Sequence, residues 1–378
     1  MDAGRLAFRR QIIEAHGGRG AAAEQALAYC DKPFGDVPCP SFPLADEPHI
    51  ATWTAYASEA AAEGAFAALR RHFVQLRVPI RAGISQDAAY LDATRKGRPA
   101  AADEEYGPGL TLARPDRLTL EIRETIAGRL PILVAGERAD FVALVQAFTG
   151  RNEPVDVPPA MGACIVNGLN NWDRVAAYRS AWERDHQDDA AAGGWSAEFK
   201  RFAAHKELYQ DRLIILSRGP YSAIDAASAG LNEAEWLDRS VVIRREHECT
   251  HYFTYRVFAS MRNNVFDELI ADFVGLVRAF GGYRGELARR FLGLESYPAI
   301  RSGSRLDVYR ADLSDESLAV VASLAVAATR NLQAFANHNP ALVADLPSLA
   351  RATYALSLLT LEELASPEMR TLTGARIA

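Results

Sequence analysis

The sequence has few cysteines, so it can form few of the disulfides that stabilise proteins outside the cytoplasm. Its 378 residues include only four cysteines, which are widely scattered: Cys30, Cys39, Cys164 and Cys249. Cys30 and Cys39 could form a disulfide in a secreted protein. Because no secretion signal is evident in the sequence, we expect four reduced thiols in a cytoplasmic protein.

Long apolar runs are also missing. No stretch approaches the roughly 18 consecutive apolar residues of a membrane span. The N-terminal segment 1–17 alternates charged residues with short apolar groups, which predicts an amphipathic helix and not a signal peptide. We therefore expect a chain that has no membrane partner.

The sequence lacks an excess of basic charge as well. Its 42 lysines and arginines are outnumbered by 48 aspartates and glutamates, which gives a formal net charge of −6. Binding to a phosphate backbone favours a basic surface, so this balance argues against nucleic acid as the main partner. The hydrophobic residues, 49% of the chain, suffice for a substantial core, and the length predicts two or three structural units.

Histidine is scarce, with eight residues in the chain, yet two of them share one short motif. Residues 247–251 read His-Glu-Cys-Thr-His, an HExxH box. Such a box arises by chance on the order of once in a hundred chains of this composition. The surrounding segment 239–258 contains no glycine or proline and predicts a helix. Residues four apart share a helix face, so His247 and His251 can reach one metal ion, and Glu248 borders that face.

A second predicted helix, 265–280, follows the box. Asn263 or Asn264 can cap its start, and a glycine pair can end it. Glu268 and Asp272 lie four residues apart and form the polar part of an otherwise apolar helix. Glu268 can supply a third metal ligand, which leaves the fourth position of a tetrahedral zinc ion to water.

These two helices resemble the gluzincin group of zinc metallopeptidases, whose members carry HExxH and, on the next helix, a glutamate ligand with an aspartate four residues later. The resemblance covers residues 240–282. It implies one zinc ion with three protein ligands: His247, His251 and Glu268. It also implies that Glu248 is the general base and that Asp272 orients the imidazole of His247.

Two alternatives to a catalytic zinc site remain open. The histidines and acids can belong to ordinary amphipathic helices with partly exposed polar faces. The chain can also bind zinc without catalysing a reaction. Cys249 lies two residues, or roughly 200°, around the helix from His247, so we expect it to point into the core and not to bind metal. The segment 161–172 is also similar to a bacterial family of unknown function. This similarity does not indicate any particular activity.

The rest of the chain predicts an α+β fold. Its regions are a small N-terminal α/β region at 1–153, a zincin-like catalytic region at 154–282 and a mainly helical C-terminal region at 283–378. The succession of strand and helix patterns supports the first region. Its predicted elements are strands at 78–80, 118–123 and 130–134, a loop at 97–109 and a helix at 140–148.

Another strand is predicted at 212–217, before the zinc helix. In gluzincins an edge strand in this order along the chain lies beside the zinc ion and pairs with an extended peptide substrate. The resemblance therefore implies substrate contacts by the end of the strand and the residues that follow: Ser217, Arg218, Gly219 and Tyr221. An ordinary core strand is the open alternative.

Enzymes of this group also use a tyrosine or histidine from further along the chain to stabilise the oxyanion. The candidates in this sequence are Tyr283, Tyr297, Tyr309 and His338. We favour Tyr309, which lies in the polar segment 302–312, and we place His338 second.

The sequence therefore predicts a cytoplasmic zinc-dependent hydrolase that cleaves a peptide or small amide and binds one zinc ion per chain. The alternatives are a zinc-containing peptide-binding protein without catalysis and a hydrolase of a non-peptide amide or ester. Glu248 distinguishes the first alternative from an enzyme, because a pure binding module has no need of a carboxylate beside the open metal position.

Overall fold

The computed structural model describes residues 3–31, 34–35, 37–191, 193–262 and 264–377, and for residues 101, 191 and 377 it describes the backbone only. These residues form two compact units. The first unit contains the residues up to Ala45, the short segment Thr125–Gly128 and the residues from Pro220 onward. The second unit contains Asp46–Glu124 and Arg129–Gly219.

Helices dominate both units. In chain order they are α1 (Ala3–Ala15), α2 (Gly20–Cys30), α3 (Ile50–Glu63), α4 (Ala65–His72), α5 (Ala88–Lys96), α6 (Ala100–Tyr106), α7 (Arg138–Phe148), α8 (Trp172–Asp185), α9 (Gln187–Ala191), α10 (Trp195–Ala203), α11 (Ala226–Ala229), α12 (Glu233–Phe258), α13 (Val265–Phe280), α14 (Gly285–Leu292), α15 (Arg305–Val308), α16 (Asp315–His338), α17 (Pro340–Ala344), α18 (Leu346–Ser357), α19 (Leu361–Ala365) and α20 (Met369–Ile377).

The strands form one four-stranded sheet with the order β1-β2-β4-β3. They are β1 (Thr119–Thr125), β2 (Gly128–Ala135), β3 (Ala163–Asn170) and β4 (Gln210–Ser217). β4 pairs in parallel with β2 and antiparallel with β3. The pairing with β3 is interrupted at Gly168, whose φ of +87° lies in the left-handed region that glycine tolerates best.

The expectation of an edge strand at 212–217 is wrong, because β4 is an interior strand of this sheet. Its backbone is hydrogen-bonded on both sides, so it has no free edge to which an extended peptide could add. The four residues from Leu213 to Leu216 are all buried. Such a continuous apolar run is typical of a strand covered on both faces, which is the physical reason for its central position.

The strands at 118–123 and 130–134 and the helix at 140–148 are confirmed as β1, β2 and α7. Residues 78–80 form no strand, since they follow a single helical turn, and the segment 97–109 contains α6 where a loop was expected. β3 has no counterpart among the predicted strands. Its two asparagines and one glycine have low strand propensity and conceal it in the sequence.

The start of the chain packs with its end in the first unit. The guanidinium of Arg9 in α1 lies 3.0 Å from the carboxylate of Glu362 in α19, and both side chains are fully buried. Arg5 pairs with Glu363 in the same way, at 2.6 Å. Because the first two helices join the C-terminal half, the predicted boundaries at 153 and 282 do not match the compact units. The α+β class with a mainly helical C-terminal part is confirmed.

Within the described residues, one helix is long and apolar enough to cross a membrane by length and composition, namely α16. Of the most apolar 18-residue stretch of α16, 61% is buried inside the protein. The core helix of a soluble protein passes the same test, so this feature is weak evidence for a membrane partner.

Candidate metal centre

The HExxH box lies in the second half of α12. The helix begins six residues earlier than predicted, at Glu233, because the side chain of Asn232 accepts a hydrogen bond from the backbone of Glu235 and caps it. His247 and His251 are one turn apart on a buried face, with exposed fractions of 5% and 8%. Their rings meet edge to face, with centroids 4.7 Å apart.

The predicted helix at 265–280 is confirmed as α13. Asn264 caps it by accepting a hydrogen bond from the backbone of Asp267, and Gly281 ends it at a φ of +70°. The other predicted cap, Asn263, lies outside the described residues. α13 is buried almost all around, and Gly275 lets it approach α12 closely, since a Cβ there would lie 2.9 Å from the Ile243 carbonyl oxygen.

This packing brings three ligand atoms into one buried cluster, formed by His247, His251 and Glu268, and all of them lie within 4.8 Å of one another. The two imidazole Nε2 atoms are 3.1 Å apart. One carboxylate oxygen of Glu268 lies 3.5 Å from Nε2 of His247, and the other lies 3.4 Å from Nε2 of His251. The three side chains could therefore hold a metal ion between α12 and α13.

The far side of the His247 ring is held by two polar groups. Its Nδ1 lies 2.9 Å from Oδ1 of Asp272 and 2.9 Å from the hydroxyl of Tyr221. The Tyr221 hydroxyl donates to Asp272 at 2.8 Å. Because an ionised carboxylate only accepts hydrogen bonds, Nδ1 carries the proton and donates a hydrogen bond to Asp272. The lone pair of His247 then resides on Nε2, the atom that faces the cluster.

Arg305 is a member of the cluster that the sequence did not reveal. It is the first residue of α15, and Ser304 caps that short helix. Its Nη1 lies 3.0 Å from Oδ2 of Asp272, and its Nη2 donates to Oε2 of Glu268. One guanidinium thus fixes both Glu268 and Asp272, and it also lies 5.6 Å from the centroid of the Tyr221 ring. Only the fold could reveal it, because Arg305 follows Glu268 by 37 residues.

The charges of the cluster support one another. Burial opposes ionisation of Glu268 and Asp272, but the charge of Arg305 is the largest cause that acts against burial, and the pKa of both carboxyls is lowered. Burial also opposes protonation of His251. Glu268 outweighs it, with a smaller contribution from Glu248, and the pKa of His251 is raised. Glu268 and Asp272 are therefore ionised at neutral pH, and metal binding requires an ionised ligand carboxylate.

The other predicted site residues occupy different places. Glu248 is half-buried on α12, near enough to His251 to act on its charge. Burial and the nearby Glu268 raise the pKa of Tyr309, so this half-buried tyrosine lies beside the cluster. His338 is exposed at the end of α16, where its ring contacts the carbonyl of Ala334, 2.6 Å away. Cys249 is fully buried and free, as expected.

The four residues predicted to contact substrate belong to two different compact units. Tyr221 belongs to the first unit and is buried against His247 and Asp272, so its role is to hold the cluster. Ser217, Arg218 and Gly219 belong to the second unit, where they end and follow β4. Tyr283 is buried and Tyr297 is exposed, with no contact between either hydroxyl and the three ligands among the described residues.

Removing the carboxylate of Asp272 should weaken metal binding. We expect Asp272→Ala to lower the affinity on the order of 10–100-fold, because an imidazole without its outer partner loses orientation and basicity. Competition with a chelator of known affinity would measure the change. Asp272→Asn is the matched variant, since it keeps an acceptor for Nδ1 and should lose less. Equal affinities for the alanine variant and the wild type would show that Tyr221 alone orients His247.

Comparison with known proteins adds a family. No curated protein and no solved structure gives a significant match to the chain. The sequence model of one family, described as a family of unknown function (DUF7005), matches residues 11–368. The match includes α12, α13 and Arg305, and thus the whole cluster. Since the matched region spans almost the entire sequence, the chain belongs to this family of unknown function, DUF7005.

Proposed function

We propose that the chain is a zinc-dependent hydrolase that cleaves a peptide or related amide bond, with one zinc ion per chain. The observation that carries this proposal is the buried triangle of ligand atoms from His247, His251 and Glu268. The carboxylate of Glu248 lies near His251, and Asp272 orients the imidazole of His247. A structural metal site needs the ligands but not the extra carboxylate.

The dimensions of the triangle suit zinc. Zinc–nitrogen distances of about 2.0–2.1 Å in a tetrahedral site put neighbouring ligand atoms roughly 3.3 Å apart. The two nitrogens are 3.1 Å apart, and each lies near this distance from one oxygen of Glu268, His247 at 3.5 Å from Oε2 and His251 at 3.4 Å from Oε1. With one ligand atom from each residue, all three atoms lie within 4.8 Å of one another. Two imidazoles and one carboxylate also form a known donor set of catalytic zinc sites, in which a fourth position stays open.

The charge of the site suits a divalent cation as well. Around the two histidines lie four carboxylates, Glu248, Asp267, Glu268 and Asp272, and one guanidinium, Arg305. Four negative charges and one positive charge give a formal net charge of −3. Buried acids that exceed their cationic partners are costly, and a bound Zn²⁺ would neutralise most of this excess.

The catalytic roles follow from these positions. Bound zinc would polarise a substrate carbonyl and lower the pKa of a coordinated water molecule to about 7. The carboxylate of Glu248 would take the proton of the attacking water and pass it to the leaving nitrogen. His247 is held for its ligand role by Asp272 and Tyr221. The hydroxyl of Tyr309, beside Glu268, is our candidate donor to the developing oxyanion.

The remaining features of the proposal concern substrate and location. Contacts to substrate by Ser217, Arg218 and Gly219 stay a prediction from the sequence. We also propose a cytoplasmic protein with no nucleic acid or membrane partner, which the net charge of −6 and four free cysteines support.

Metal analysis and an activity screen on the purified full chain test the proposal. We expect about one zinc ion per chain and cleavage of members of a mixed peptide library, detected by mass spectrometry. Activity should disappear with a chelator and return with added zinc. Non-peptide amides and esters belong in the same screen, because the zinc chemistry does not distinguish them from peptides. A chain that holds zinc but cleaves none of these compounds would favour the peptide-binding alternative, and a chain that cannot bind zinc would refute both.

A further inference from the structure

The first unit has a cavity of about 560 Å³ that none of the three metal-cluster residues lines. We call it the arginine cavity after its principal lining residues: Tyr283, Arg284, Glu286, Arg289, Arg290 and Arg330. Its volume falls within the roughly 300–1,000 Å³ that is usual for small-molecule sites. The cavity is therefore large enough for a small organic ligand.

The four guanidinium groups of this cavity form no ion pair with a carboxylate of the described residues, although nearby arginines do, such as Arg301 with Glu295 at 2.7 Å. Arg290 has only a longer-range electrostatic interaction with Asp225. Arg289 donates to the hydroxyl of Thr329 at 3.3 Å, and Arg284 stacks on the ring of Phe280. Neither contact neutralises a charge, so an anion in the cavity would meet guanidinium groups that are free to bind it.

The charge of the lining indicates what kind of anion fits. Four arginines and the single carboxylate of Glu286 give a net charge of +3. α14 also begins at this cavity, and the N-terminus of a helix adds positive potential. A phosphate monoester carries about −1.5 to −2 at pH 7, so two phosphate groups balance the lining charge. Guanidinium groups bind phosphate oxygens in pairs of parallel hydrogen bonds.

We propose that the arginine cavity binds a small phosphorylated molecule that carries about two phosphate groups, at a site separate from the metal cluster. Arg284, Arg290 and Arg330 contact the phosphate oxygens. The ligand brings the negative charge that balances the excess of arginines over the one carboxylate, Glu286, in the lining.

Isothermal titration calorimetry on the full chain, with pyrophosphate and a nucleoside diphosphate as probes, tests this proposal. We expect saturable binding that weakens with ionic strength, as charged contacts do. Citrate is the comparison anion, because it offers similar charge on carboxylates. His251→Ala should bind the probes as the wild type does, which separates the arginine cavity from phosphate binding at a metal ion.

The variants make the test specific. Arg284→Gln and Arg330→Gln remove exposed guanidinium groups, and each should weaken binding on the order of 10-fold or more, since hydrogen bonds to charged groups are among the stronger ones. Arg370→Gln, an exposed arginine of α20 that does not line the cavity, is the matched control and should leave binding unchanged.

The proposal is overturned if the wild type shows no saturable binding of either probe. Stronger binding of citrate than of pyrophosphate, or equal binding by the arginine variants and the wild type, also overturns it.

Discussion

Replacing His251 with alanine is expected to leave the chain without its metal ion. His251 supplies one of the three ligand atoms, and its Nε2 lies 3.1 Å from that of His247 and 3.4 Å from Glu268. Loss of an outer-shell partner alone costs about 10–100-fold in affinity, so loss of a ligand should cost more than about 10²-fold. Metal analysis of protein purified without chelators, followed by titration with zinc, would measure the effect.

His338→Ala is the matched control for this experiment. His338 is exposed at the end of α16, and its ring contacts only its own helix among the described residues. The variant should keep its zinc and its activity, because the exposed ring lies at the end of α16 and contacts only that helix among the described residues. If His251→Ala retains one tightly bound zinc ion, the ligand set is wrong. If His338→Ala loses activity, the result supports the prediction from the sequence that His338 stabilises the oxyanion.

The second large effect is expected for Glu248→Gln. Glutamine preserves the size and hydrogen-bonding shape of the side chain but cannot take a proton from water. General acid–base catalysis contributes at least about 10²-fold, so turnover should fall by that factor or more while zinc binding persists. Steady-state kinetics on any substrate found in the peptide library would measure the fall, and metal analysis would show that the site is intact.

Glu233→Gln makes the same chemical change on the same helix, away from the site. Glu233 is the exposed first residue of α12, and loss of its charge should cost only about 0.3–1 kcal/mol through the helix dipole. Its turnover should equal that of the wild type. Equal turnover of Glu248→Gln and the wild type would rule out Glu248 as the base, even if zinc is required.

The two helices of the metal cluster were predictable because their signals are local. A helix of 3.6 residues per turn places i and i+4 on one face whatever surrounds it, so the pairs His247–His251 and Glu268–Asp272 follow from spacing alone. Caps are equally local, and Asn264 and Gly281 bound α13 where the sequence predicts. The partnership between Asp272 and His247 follows once the two helices pack.

The strand β4 shows where local signals fail. Its apolar run predicts a strand, and it is one, but the neighbours of a strand come from distant parts of the chain. β3 comes well before β4 in the chain, and its asparagines and glycine give it a weak strand pattern. The sequence therefore indicated no partner strand for one edge of β4. Position in the sheet therefore depended on a pairing that no local pattern encodes.

The sequence by itself determined the α+β class, the two helices of the cluster and the four residues that face each other on them. The tertiary structure alone decided that Arg305 and Tyr221 complete the cluster and that the first helices pack with the last. It also gathered the unpaired guanidinium groups of the arginine cavity from α14, α16 and the residue before α14. The reason is physical: helix periodicity acts over a few residues, whereas an ion pair between residues 353 positions apart forms only when the packed core brings them together.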